Sequence, residues 1–401
     1  MSEIIPIFRA LLRSKAGALM LLIQIAITTA IVSNAAFIIN DRIQYLNTET
    51  GYPEKEIFSF SISSFGEIND LSVMLEQTEE TIRNIPGVIN ASLVNAVPVS
   101  GSGSASTFGS QPSSERGEEI RAAYFTGDEH ILNTLGLSVF DGRNFEKNEV
   151  VVGTDRNAVA QVAIVSKAFI DQKFPEGNGL GQTIYFGNDP LKIVGVVEEM
   201  VGPWLKDNQA QNVVIMPIAR ADKQQKFIVR AEADQRAAVM RQIDDILLAE
   251  HNKRVIMFKR GMDEAKDNYN ASDILMLRML VVLIVVLVLV TALGIFGMTL
   301  FNINKRTKQI GTRRALGARK SAIVKYFLTE NSIICISGML IGSVAAVFLG
   351  NSLMTRFSIP ALDINYILTT AVFVLVISLV SVIFPAIRAA NIAPSIATRS
   401  I

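Results

Sequence analysis

Residues Asn304 to Glu330 read NKRTKQIGTRRALGARKSAIVKYFLTE, a basic stretch set between two long apolar runs. From Ile303 to Lys325 it carries Lys305, Arg306, Lys308, Arg313, Arg314, Arg319, Lys320 and Lys325, and no acid. Short loops rich in Lys and Arg between membrane spans stay on the cytoplasmic side. The stretch therefore marks its flanking runs as spans and sets their direction.

Working outward, the chain shows four such runs. Residues 16–40, 274–302, 323–350 and 366–387 are the expected transmembrane helices. The first, Ala16 to Ile39, covers about 36 Å at 1.5 Å per residue, enough for a hydrocarbon core of about 30 Å. A secretory leader would have an apolar region of only about 7–15 residues, so this run is expected to be retained. Before it, residues 1–15 place Arg9, Arg13 and Lys15 among Ile4, Ile5, Ile7, Phe8, Leu11 and Leu12, the pattern of an amphipathic helix on the cytoplasmic surface. With the loop at 303–322 inside, the 351–365 loop lies outside, and the N-terminus and the 388–401 tail are both cytoplasmic. Residues 41–273 then form a large extracytoplasmic domain in a multi-pass protein of the plasma membrane.

Charge is segregated along the chain. The segment from Asp41 to Leu277 holds 34 acidic and 23 basic residues, while the basic excess sits beside the spans. That distribution fits a membrane-lipid partner and excludes a nucleic-acid footprint. The single cysteine, Cys335, lies in an apolar run, and the two histidines, His130 and His251, are far apart, so neither a disulfide nor a metal site is expected. Gly311 to Gly317 imitates a phosphate-binding loop but has five residues between its glycines and is followed by Ala-Arg. No nucleophile elbow or zincin motif occurs either. Catalytic, cofactor-binding and metal residues are thus all expected to be none, and the chain reads as non-enzymatic.

The extracytoplasmic segment reads as a folded α/β domain. Ile57 to Ser63 alternates like a strand, Leu71 to Ile85 has helical spacing, and Val88 to Val97 is strand-like after a Pro86-Gly87 turn. Strand, helix and strand recur at Lys226 to Ala231, Arg236 to Leu248 and Arg254 to Phe258. One subdomain, 55–127 with 222–260, is thereby split by an inserted, mainly β subdomain at 128–221. Pro98 to Glu118, rich in Ser and Gly, is expected to be a mobile loop. On the third span, Gly338, Gly342, Ala346 and Gly350 recur every four residues, a face for close helix packing. Glu330, near the cytoplasmic end of that span, is costly unless paired; Arg313 and Arg314 are its candidate ion-pair partners, with a proton-relay role as the alternative.

The words themselves resemble a known family. Lys308-Gln309-Ile310-Gly311-Thr312-Arg313-Arg314-Ala315-Leu316-Gly317-Ala318, followed by Phe327-Leu328-Thr329-Glu330, is similar to the cytoplasmic loop of FtsX/MacB-type ABC transporter permeases. Gly142-Arg143-Asn144-Phe145, Gly179-Leu180-Gly181 and Ile193-Val194-Gly195-Val196-Val197 resemble the MacB-like periplasmic core domain. Phe384-Pro385-Ala386-Ile387-Arg388-Ala389-Ala390 through Pro394 resembles the family's ending, from which Asn391 and Ser395 to Thr398 depart. The resemblance implies a four-helix α-helical membrane protein with a large extracytoplasmic α/β domain, whose split part is porter-like. It implies that Lys308, Ile310, Gly311, Arg313, Arg314, Ala315, Leu316, Gly317 and Ala318 form a coupling helix docking on a separate ABC ATPase subunit, the partner that binds ATP. It further implies a second permease chain, identical or paralogous, and a periplasmic adaptor and outer-membrane channel as candidate partners. The activity implied is expulsion of an antibiotic, peptide or similar cargo from the envelope. An FtsX-like regulator of cell-wall hydrolases and a lipoprotein-releasing permease share the layout and stand as alternatives.

Overall fold

The computed structural model describes residues 15–68, 70–115, 117–154, 159–357 and 361–393. The expected amphipathic helix before Lys15 and the family-like ending from Pro394 lie outside the described residues. The chain divides into two compact units, Asn47–Ser272 and the membrane-spanning segments on either side of it.

The chain enters through helix α1 (Lys15–Leu46) and then builds the α/β unit. Strand β1 (Ile57–Ser64), helix α2 (Leu71–Arg83) and strand β2 (Val88–Leu93) come first. Asp70 caps α2 by accepting from the Ser72 and Val73 amides, two of the donors a helix start leaves free. An inserted series follows: β3 (Ser104–Gly109), β4 (Glu119–Thr126), α3 (Ile131–Leu135), β5 (Val139–Gly142), β6 (Val151–Gly153), β7 (Val162–Ser166), α4 (Lys167–Lys173), β8 (Thr183–Phe186), β9 (Asp189–Val197), β10 (Val213–Met216) and β11 (Ile218–Arg220). The chain returns through β12 (Gln224–Ala231), α5 (Arg236–Glu250) and β13 (Arg254–Gly261).

Two sheets result. Strands β13-β1-β12-β2 form an antiparallel four-stranded sheet with α2 and α5 packed on one face. Alternation along β1 sends Phe58, Phe60 and Ile62 to that face, where they meet Phe227, Leu75, Ile82 and the Val239, Ile243, Leu247 row of α5. Ser59 and Ser61 point the other way. The second sheet runs β5-β9-β7-β10-β4-β3-β8, and β8 also pairs with β9. That extra pairing closes β9, β7, β10, β4, β3 and β8 on themselves, leaving no open edge between them. Phe108, Val165, Ile184, Leu191, Ile193 and Val214 fill the enclosure, with Phe169 of α4 against them.

The topology corrects two expectations. Residues 104–127, assigned by sequence to the split subdomain, supply β3 and β4 to the closed sheet, so the insertion begins well before residue 128. Strand β3 also lies within the stretch Pro98 to Glu118, expected to be a mobile loop. SASTFG has a weak strand signature of its own, and its order comes from antiparallel pairing of Ser104–Gly109 with Glu119–Tyr124.

Among the described residues, four helices are long and apolar enough to cross a bilayer: Gly17–Leu46 in α1, then α6 (Met262–Lys305), Lys320–Thr355 in α8 (Lys320–Phe357), and α9 (Ile364–Ala390). A short helix, α7 (Thr307–Ala315), lies between α6 and α8. Three polar pairs join the apolar helices within the unit. Thr28 and Thr291 hydroxyls meet at 2.8 Å, Asn34 Nδ2 donates to the Ala346 carbonyl at 3.0 Å, and Asn331 Nδ2 donates to Ser378 Oγ at 2.5 Å. Such bonds are the expected adhesive between helices in a medium without water.

Candidate coupling surface

The basic stretch folds into a bend, a helix and a stop. Helix α6 ends at Lys305, Arg306 turns the chain, and α7 begins at Thr307. At the far end Gly317 adopts φ 93°, a left-handed conformation that side chains with a Cβ disfavour. The Gly317 amide donates to the Arg314 carbonyl (3.1 Å) and the Ala318 amide to the Arg313 carbonyl (3.0 Å). These are the paired bonds of a Schellman stop. Arg314 Nη1 adds a bond to the Ala318 carbonyl at 2.9 Å, fastening the turn.

One side of α7 is spent on the chain's own membrane helices. Ile310 is buried among Ile303, Ile323, Phe327, Ala386 and Ala389, and Gly311 is buried beside it. This corrects the reading of Ile310 as part of a docking face: it is an internal anchor. The opposite side is open. Lys308, Arg313, Ala315, Leu316 and Gly317 are exposed, and Arg314 and Ala318 are half-buried. Leu316 is 83 % exposed, an apolar side chain held at the helix end and left uncovered by the described residues.

Glu330 is buried, and its partner differs from the expected one. Arg306 Nη1 donates to Glu330 Oε2 at 3.0 Å and to the Tyr326 hydroxyl, also at 3.0 Å. Arg313 instead lies over the Tyr326 ring at 5.3 Å, and Arg314 is engaged at the helix stop. The bend at Arg306 decides this, because it aims the side chain back along α8. Arg306 and Tyr326 are thus the members of the site that sequence reasoning missed. The available signal was an unneutralised acid in a span, which needs a cation but does not say which one.

The small-residue row on α8 lies elsewhere, against α1. A Cβ on Gly338 would stand 3.0 Å from the Leu22 carbonyl, and one on Gly342 2.6 Å from the Ala26 carbonyl. Ala346 is buried and accepts from Asn34, whose Oδ1 is 3.1 Å from a Cβ built on Gly350. Close approach of two helix backbones is what the row permits.

A MacB-like periplasmic core domain model matches residues 18–246, and an FtsX-like permease C-terminal model matches residues 281–394. The chain belongs to the MacB-like family of ABC transporter permeases. Among curated relatives, this permease is 24 % identical over 274 residues to the macrolide export ATP-binding/permease protein MacB of Neisseria meningitidis serogroup A, covering 66 % of this chain and 40 % of the relative. It is 27 % identical over 262 residues to the pyoverdine export ATP-binding/permease protein PvdT of Pseudomonas aeruginosa, covering 61 % and 38 %. The permease therefore spans about two fifths of the length of the relatives it matches. Among solved structures, the periplasmic region of MacB from Actinobacillus actinomycetemcomitans aligns over 52 % of this chain and 91 % of that one, with TM-score 0.33 and 15 % identity.

Proposed function

We propose that the chain is the mechanical subunit of an ABC exporter, in which α7 receives force from an ATPase not contained in this sequence. The observation that carries the reading is the two-sided construction of α7: Ile310 seated among the membrane helices, Leu316 and its basic neighbours left open. A helix fastened on one side and uncovered on the other can pass displacement from a docked partner into the spans. The curated relatives are named as ATP-binding/permease proteins, and this sequence holds no phosphate-binding loop, so the ATP-binding part is to be sought outside it. The positive-inside rule puts α7 in the cytoplasm and the α/β unit outside, both termini being cytoplasmic. Two copies, identical or paralogous, working with a pair of ATPases would then drive movements of the extracytoplasmic domains that expel cargo. An adaptor and an outer-membrane channel would carry the cargo onward.

The test separates docking from folding. Burying Leu316 in a partner groove is worth about 1.5–3 kcal/mol, or roughly ten- to a hundredfold in affinity. Leu316→Asp should insert and fold as wild type yet lose co-purification with the ATPase and the export it supports. Ile310→Asp, by contrast, should impair accumulation of the protein itself. Wild-type co-purification and export in Leu316→Asp would overturn the reading.

A further inference from the structure

Within the α/β unit, a cleft of about 480 Å³ opens between the helix-free face of the four-stranded sheet and strands β3 and β4 of the closed sheet. Register builds its floor. Ser61 of β1 pairs with Lys226 of β12 on one side and Met257 of β13 on the other, so the three stand in one row. Alternation turns that row away from Phe60, Ile62 and Phe227, which face α2 and α5. Tyr124 and Thr126 of β4 form the facing wall.

Two features mark the cleft as built for a ligand. The first is Lys226, half-buried on a strand interior, whose ammonium has no ion-pair or hydrogen-bond partner among the described residues. Burial is the sole influence acting on it and pushes its pKa down. Arg220 and Asp222, also at the cleft, are each engaged already. The second is Phe258. Between the Ser59–Arg260 and Ser61–Met257 pairs, β13 has one residue more than β1, a bulge. Phe258 occupies it with φ 55°, where glycine is the favoured residue, and its ring is 80 % exposed at the cleft. A bulge re-aims a side chain, and here it holds an aromatic ring in water beside an unpaired cation.

We propose that this cleft binds a small organic anion, a carboxylate or sulfonate on an aromatic or aliphatic body, with Lys226 taking the charge and Met257 and Phe258 the body. The volume lies in the range of small-molecule sites, about 300–1,000 Å³. The hydroxyls of Ser61, Tyr124 and Thr126 supply neutral bonds for orientation. The proposal is independent of the export reading, since it concerns binding alone.

The probes are 4-(trifluoromethyl)benzoate and its neutral counterpart 4-(trifluoromethyl)benzamide, titrated by 19F relaxation into the full chain in lipid nanodiscs, with empty nanodiscs subtracted. Wild type should bind the benzoate saturably and more tightly than the benzamide. Lys226→Met should weaken the benzoate on the order of tenfold, as losing one charge-assisted contact implies, and erase the preference. Lys226→Arg should keep it. Phe258→Gly should weaken both probes while raising the thermal midpoint, because glycine relieves the backbone at the bulge. Absence of saturable benzoate binding in wild type, or unchanged affinity in Lys226→Met, overturns the proposal. Should Lys226→Met fail to fold, unchanged affinity in Phe258→Gly overturns it instead.

Discussion

Glu79 on α2 shows how much one buried acid can set. Its Oε1 accepts from the Leu93 amide at 2.8 Å, and Arg83 lies 3.7 Å from its other oxygen. Arg83 also reaches Asp128 at 3.4 Å, which accepts from Ser92 Oγ at 2.5 Å, with Glu129 and His130 next in sequence. Burial, and secondly the charge of Asp128, push the Glu79 pKa up to about 8. A folded-state pKa above the unfolded value means that the native state holds an extra proton between them. The associated stability is fully present below about pH 4.5 and is lost as pH rises through about 8. The thermal midpoint of the α/β unit, followed by fluorescence of Trp204, the sole tryptophan, should accordingly fall across that window. Glu79→Gln should flatten the fall, and an identical slope in the variant would show that other groups govern it. No sequence pattern announces this cluster, because Glu79, Ser92 and Asp128 meet only through packing of α2, β2 and the β4–α3 turn. Glu330 was different, standing out as an acid in a span. What its neighbourhood hid was the bend at Arg306, without which Arg313 and Arg314 are equally good candidates.

Among elements, legibility follows periodicity. The four-residue spacing of Gly338, Gly342, Ala346 and Gly350 needs no tertiary knowledge, and the row does pack against another helix. Strand β1, with its alternating apolar residues, and β12, with its apolar run Phe227-Ile228-Val229, are equally plain. Strand β3 is not, because its small polar residues gain order from the neighbour they pair with. Helix α7 is intermediate: Gly317 announces the stop, while the division of labour between Ile310 and Leu316 depends on where α8 and α9 lie. The row on α8 yields a prediction at this scale. A Cβ at Gly342 would meet the Ala26 carbonyl at 2.6 Å and the Thr29 Cβ at 2.8 Å, and the first of these is backbone that cannot swing aside. Gly342→Val should therefore destabilise the α1–α8 pair by about 1–3 kcal/mol, the usual cost of overpacking. A lowered thermal midpoint in detergent is the readout, with Gly297→Val as control, since a Cβ there meets nothing within 4 Å. Equal midpoints would mean that the helices separate readily at the row.

For the whole molecule, the division into a membrane unit and an inserted α/β unit was legible because hydropathy and charge change together at its borders. The closure of the second sheet was not, since it depends on β8 pairing with both β3 and β9, far apart in sequence. Orientation rests on charge alone and is open to direct test. Ser113 and Asn208 are exposed on the α/β unit, and Thr312 is exposed on α7, so a cysteine at any of them is sterically reachable. The single native cysteine, Cys335, is buried within α8 and should stay silent toward a membrane-impermeant reagent. Reactivity in intact spheroplasts then reports sidedness. Cysteines at Ser113 and Asn208 should label without permeabilisation, and one at Thr312 only after it. Eight basic residues without an acid around α7 oppose translocation of that loop, whereas the acidic α/β unit carries no such barrier. Labelling of Thr312→Cys from outside would invert the topology and place Leu316 beyond the reach of any cytoplasmic ATPase, so the docking reading would fail together with the orientation.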